Sequence, residues 1–130
     1  MQSDKYSFGK EERLCSRKAI EQLFSDGNSI YMPSFQVIWQ YTLEPYNYPA
    51  RLAISVPKKY FRKAVKRNLI RRRIKEVYRK NKHELYDQLN QTGKMINFMI
   101  IFKENSIPDY PSFETSIRDL LSRLIRAAAN

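Results

Sequence analysis

The sequence predicts one α+β domain, and three observations predict it. Two stretches alternate apolar and polar residues, Phe35–Leu43 and Arg51–Pro57. One stretch, MINFMIIF at 95–102, is apolar almost throughout. Two further stretches repeat apolar residues every three or four positions, Phe61–Leu89 and Ser112–Ile125. A period of two marks a strand with one buried face, and a period of 3.6 marks a helix with one buried stripe. Strands and helices mixed within 130 residues, with 17 aromatics to pack a core, fit one modest domain.

In chain order, residues 1–12 are largely polar and read as a flexible tail. Ser16 can cap a short helix, with Ile20, Leu23 and Phe24 at i, i+3 and i+4 and Gly27 at its end. Residues 29–32 form a short strand before Pro33. In the strand at 35–43, Phe35, Val37, Trp39 and Tyr41 share one face, and Gln36, Ile38, Gln40 and Thr42 the other. EPYNYP at 44–49 is turn material, so a hairpin through 44–50 is expected to join this strand to the next. In that next strand Leu52, Ile54 and Val56 face one way, Arg51, Ala53 and Ser55 the other, and Pro57 stops it.

A helix is predicted from near Phe61 to about Leu89. The apolar run at 95–102 suits the interior of a sheet. Pro108 and Pro111 mark a loop, after which Ser112 caps a last helix with Ile117, Leu120, Leu121, Leu124 and Ile125 as its stripe.

Charge is concentrated in one place. Residues 58–82 hold thirteen Lys or Arg and one acid, Glu76, for +12. The whole chain carries +11, so the remainder carries −1. At 100° per residue from Val65, the residues Ile70, Ile74, Val77, Tyr78, Asn81 and Leu85 fall within about 120–220° and form a core stripe. Asn68, Arg71, Arg72, Lys75 and Arg79 fall within about 240–340° and form a cationic row. Like charges three and four apart destabilise a helix by a few tenths of a kcal/mol per pair. An anion along the row offsets that, and a phosphate backbone is the obvious one.

A membrane surface also attracts such a row. Here, however, strands flank the helix in sequence and need its apolar stripe for their core. A merely solvated face normally mixes signs, and this one does not.

Much chemistry is excluded by scarcity. One cysteine, Cys15, makes no internal disulfide, and with the single His83 it makes no usual zinc site. Three glycines include no phosphate loop, and no acid pair stands in a context for general acid–base work. Neither catalytic nor metal-ligating residues are therefore expected. No stretch is long and apolar enough to span a membrane, and residues 1–13 hold no apolar run of a secretory signal, so cytoplasmic residence is the expectation.

RLAISVPKKYFRKAVKRNLIRRRIKEVYR resembles the signature of the bacterial ribonuclease P protein component. That signature is a strand ending in S-V-x-K-K, followed by A-x-x-R-N-x-x-K-R-x-x-R on a helix. Ser55, Val56, Lys58 and Lys59 match the first part, and Ala64, Arg67, Asn68, Arg71, Arg72 and Lys75 occupy the second. Arg71 stands for the usual Lys, Lys75 for the usual Arg, and Leu69 for a frequent second Arg. Ile20 and Ile38 stand where relatives often present aromatic rings.

The resemblance implies a small α/β sandwich, a four-stranded mixed sheet packed against helices, with a left-handed β-α-β crossover against the usual rule. It implies the protein subunit of an RNA-based endoribonuclease that removes the 5′ leader of precursor tRNA. The RNA subunit would be the catalyst and would use Mg²⁺, with no cofactor in the protein. RNA-subunit contacts are expected from Lys58, Lys59, Arg67, Asn68, Arg71, Arg72, Lys75 and Arg79. A leader-binding cleft is expected from Ile20, Phe24, Ile38, Arg51, Ala53 and Ser55. The free protein is expected to be a monomer without a membrane partner. The alternative is a non-catalytic structural RNA-binding protein of ribosomal type.

Overall fold

The computed structural model describes residues 8–44 and 47–129. After a 3-10 turn at Lys10–Glu12 come α1 (Arg17–Asp26), β1 (Asn28–Tyr31), β2 (Phe35–Tyr41) and β3 (Ala50–Ser55). Then follow α2 (Ala64–Asn81), α3 (His83–Thr92), β4 (Ile96–Phe102) and α4 (Tyr110–Ala128). The four strands form one mixed sheet in the order β1-β2-β4-β3.

That order corrects the expected hairpin through 44–50. β2 pairs antiparallel with β1 and with β4, and β3 pairs parallel with β4. β4 therefore lies between β2 and β3. The physical reason is its composition: all seven β4 residues are buried, so the strand needs a neighbour on each edge and a layer on each face. Pro45 and Tyr46, within the expected turn, lie outside the described residues.

Helices cover both faces. On one, Phe35, Val37, Trp39, Leu52, Phe98, Ile100 and Phe102 pack with Ile70, Ile74 and Val77 of α2, Leu85 and Leu89 of α3, and Phe113, Ile117, Leu120 and Leu124 of α4. The helical phase read from the sequence is thus the phase that packs. On the other face, Ile38, Met99 and Ile101 meet Leu23 of α1 and Leu14. α1 starts where Ser16 Oγ accepts from the Ala19 N–H at 3.3 Å, and it ends where Gly27 donates to the Leu23 carbonyl. A Cβ on Gly27 would stand 2.5 Å from Ile38 Cγ2, so glycine lets the chain turn directly against β2.

Three more expectations need correction. The long helix starts at Ala64 rather than Phe61 and is interrupted at Lys82. There the Asn81 amide donates to the Val77 carbonyl, the acceptor its own backbone N–H would use in a regular helix. α3 then runs on to Gly93, whose φ of 68° is the left-handed cap conformation that favours glycine. The last helix starts at Tyr110, with Asp109 rather than Ser112 at the N-cap position and no side-chain cap bond, and with Pro111 inside its first turn, where a missing N–H costs nothing.

The third correction concerns the expected tail. Residues 1–7 lie outside the described residues, but at 8–12 Phe8 and Glu12 pack inward while Gly9, Lys10 and Glu11 are exposed. Phe8 meets the Tyr78 ring edge-on, and Glu12 is only 1% exposed. Arg13 then pairs with Leu52, and the Leu14 N–H donates to the Leu52 carbonyl at 2.9 Å. The N-terminal segment so covers the outer edge of β3, which would otherwise present unpaired backbone groups.

Candidate nucleic-acid interface

The site begins with α2. Its apolar stripe is fixed by the core, and that fixes where the opposite residues point. Arg72 is exposed, and Asn68 beside it accepts from Arg71 Nη1 at 3.0 Å through Oδ1. Arg79 forms a 2.8 Å ion pair with Glu76, whose carboxyl is held below its ordinary range chiefly by that hydrogen bond. Arg67 has a partly structural task. Its Nη1 donates to the carbonyls of Phe61 at 2.9 Å and Arg62 at 2.7 Å, clamping the loop that precedes α2. Lys58 and Lys59 are exposed on the turn after β3.

A cleft of about 420 Å³ opens beside this row. Ile20, Ala53 and Ser55 line it, together with Arg71 and Lys75 from α2. Two sets of residues that the sequence reading kept apart therefore meet at one opening. The β3 wall consists of Leu52, Ala53, Ile54 and Ser55, and the small Ala53 and Ser55 leave room for a polymer backbone to approach. The cations sit at the α2 side, and the α1 side is aliphatic.

The remaining cleft candidates are placed differently. Ile38 is 6% exposed, covered by α1, and supports the floor rather than presenting a surface. Arg51 reaches outward, donating from Nε to the Glu11 carbonyl at 3.1 Å, and does not line the cleft. Phe24 is 60% exposed at the far end of α1, also outside the cleft lining. Phe8, Arg13, Leu14, Cys15 and Met99 do line it and were not foreseen, and neither were Leu52 and Ile54, which were expected on the opposite face of β3. The available signal was the Arg13-Leu14 pair just ahead of a capped helix, but nothing local says that such a pair docks on a strand edge.

Beneath that segment lies a buried polar cluster. The Glu12 carboxylate accepts from the Gly9 N–H at 2.8 Å, from the Tyr86 hydroxyl at 2.7 Å and from the Lys82 ammonium. Burial pushes both the Tyr86 and Tyr78 hydroxyls above their ordinary range, and the nearby Glu12 carboxylate adds to the effect on both. Among the described residues, no three His, Cys, Asp or Glu side chains come together as a metal site, and no helix is long and apolar enough to cross a membrane.

Comparison with known proteins identifies the family and the fold. The family model described as Ribonuclease P matches residues 8–128. The ribonuclease P protein component of Porphyromonas gingivalis is 35% identical over 127 residues, covering 96% of this chain and 89% of that one. The RNase P protein from Thermotoga maritima superposes with a TM-score of 0.67 at 25% identity, over 86% of this chain and 96% of that chain. The Staphylococcus aureus RNase P protein shares the fold with a TM-score of 0.72 at 22% identity, over 87% and 94% of the two chains. The family match over residues 8–128, together with a relative 35% identical across nearly the whole chain, shows that this chain belongs to the ribonuclease P protein family.

Proposed function

We propose that this protein is the non-catalytic subunit of ribonuclease P, holding the catalytic RNA along α2 and the 5′ leader of precursor tRNA in the cleft. The observation that carries the reading is the joint lining of the cleft by Ala53, Ser55, Arg71 and Lys75. A single strand can lie against Ala53 and Ser55 with its phosphates toward Arg71 and Lys75. Arg72, Lys58 and Lys59 extend the positive surface away from the cleft, toward the RNA subunit. Arg guanidinium groups match phosphate oxygens bidentately, and the Asn68 amide can add a contact to a 2′-hydroxyl.

Mg²⁺ belongs to the RNA subunit in this reading. No carboxylate cluster among the described residues fits a protein-held ion, and no step is assigned to the protein through it. The protein binds and orients, while the RNA hydrolyses the phosphodiester.

The test is a pair of affinities for the assembled enzyme, one for precursor and one for mature tRNA. Ser55→Glu places a carboxylate in the cleft and is expected to weaken precursor binding while leaving mature tRNA binding nearly unchanged. Equal losses for both ligands would refute the cleft assignment.

A further inference from the structure

Three aromatic side chains are exposed among the described residues: Phe24, Tyr31 and Tyr41. Tyr41 is tied to the α4 layer through its hydroxyl, which donates to the Ala128 carbonyl at 2.8 Å. Tyr31 has no such tie and is 68% exposed on the edge strand β1. Its register decides its neighbours. Tyr31 pairs with Gln36, Gln36 with Ile101, and Ile101 with Ser55. Directly paired residues share a sheet face, so these four form one row across all four strands, on the face that carries Ile38, Met99 and Ala53. With strands about 4.8 Å apart, the row runs roughly 14 Å.

One end of the row is Ser55, in the cleft beside Arg71 and Lys75. At the other end the Lys103 ammonium lies 5.8 Å from the Tyr31 ring centroid. Glu104 follows in sequence and accepts from the Ser34 hydroxyl at 3.2 Å. The row itself, Tyr31, Gln36, Ile101 and Ser55, contains no acidic side chain. Next to Ser55 the row passes Ile101, 7% exposed and part of the cluster under α1, which serves as floor; beyond it a polyanion leaving the cleft would meet the Gln36 amide, then a ring with a cation at hand.

We propose that Tyr31 and Lys103 form a base-stacking subsite for the single-stranded leader, at the β1 end of this row. The inference rests on the reading that the cleft holds the leader. The ring supplies a π-face that accepts any base, and stacking of this kind tolerates sequence. The Lys103 ammonium, on its flexible four-carbon stem, moves from the ring onto the adjoining phosphate. The site restores an aromatic surface to a face on which Ile38 is buried and Ile20 is aliphatic.

The experiment uses the assembled enzyme and precursor tRNAs whose leaders range from about one to about eight nucleotides, the longer ones reaching the roughly 4–16 nucleotides of small single-strand sites. Affinities are measured for the unaltered protein and for Tyr31→Ala, Tyr31→Phe, Lys103→Ala and Ser55→Glu. Tyr31→Ala is expected to lower the ratio of long-leader to short-leader affinity by about 5- to 150-fold, the worth of one base–aromatic stack. Tyr31→Phe, which keeps the ring, should retain the ratio, and Lys103→Ala should lower it by a smaller factor. If Ser55→Glu weakens precursor binding but Tyr31→Ala leaves the ratio unchanged, the subsite is refuted and the cleft stands. If neither variant acts, the leader reading fails and the subsite fails with it. A loss under Tyr31→Ala that is equal at every leader length would mark Tyr31 as structural and also overturn the proposal.

Discussion

The Glu12 carboxylate and the Lys82 ammonium, seventy positions apart in sequence, form a buried ion pair, with the two residues 1% and 3% exposed. The pair joins the 3-10 turn to the point where α2 gives way to α3. It thereby holds Arg13, Leu14 and Cys15 against β3, where they complete one wall of the cleft. A buried ion pair contributes little against an apolar replacement, but breaking one half leaves an unpaired charge in the interior.

Glu12→Ala is therefore expected to destabilise the fold by about 3–5 kcal/mol. Combining Glu12→Leu with Lys82→Met removes both charges and should cost much less than the two single changes added together. Denaturant unfolding of the four proteins closes the cycle. Additive losses would show that the two side chains do not interact.

The hydroxyls of Tyr78 and Tyr86 predict alkaline sensitivity. Both have pKa values raised by burial above the unfolded value of about 10. A phenol shifted in this direction contributes stability fully below its unfolded pKa, and that contribution is lost as pH rises above it, because the unfolded chain then ionises first. Unfolding free energy should thus be flat approaching pH 10 and fall beyond it. Tyr86→Phe should make the fall shallower, as followed by denaturant titration at stepped pH.

The cationic row predicts a salt dependence. With about five phosphates engaged by the RNA subunit, log K against log salt should slope by roughly −3.5 to −4.5. Arg72→Ala should flatten the slope by about one contact and leave stability unchanged. Arg67→Ala should do both, weakening binding and destabilising the fold, because its guanidinium also clamps Phe61 and Arg62. A slope near zero would mean that the row faces only solvent.

Much of this was readable from local pattern. The phase of α2 was legible because Ile70, Ile74 and Val77 repeat on one face, and the same phase sets Asn68, Arg71, Arg72 and Lys75 on another. The β4 interior was legible because the run is apolar on both faces. What escaped is non-local. The turn-rich stretch after β2 reads as a hairpin, and only the sheet order shows β4 taking the intervening place. Glu12 reads as a solvated acid until Lys82 and Tyr86 arrive from the other half of the chain. Ile38 lies on the face expected for the cleft, but α1 packs on it because Gly27 brings that helix directly against β2.

The central claim is that the protein assists an RNA catalyst and does not cleave by itself. Precursor-tRNA cleavage at low salt and low Mg²⁺ tests it most directly, comparing protein alone, RNA subunit alone and the two together. The account predicts no cleavage by protein alone, weak cleavage by RNA alone, and a marked acceleration when both are present. Robust cleavage by RNA-free protein, or an RNA-subunit rate that the protein leaves unchanged, would contradict it.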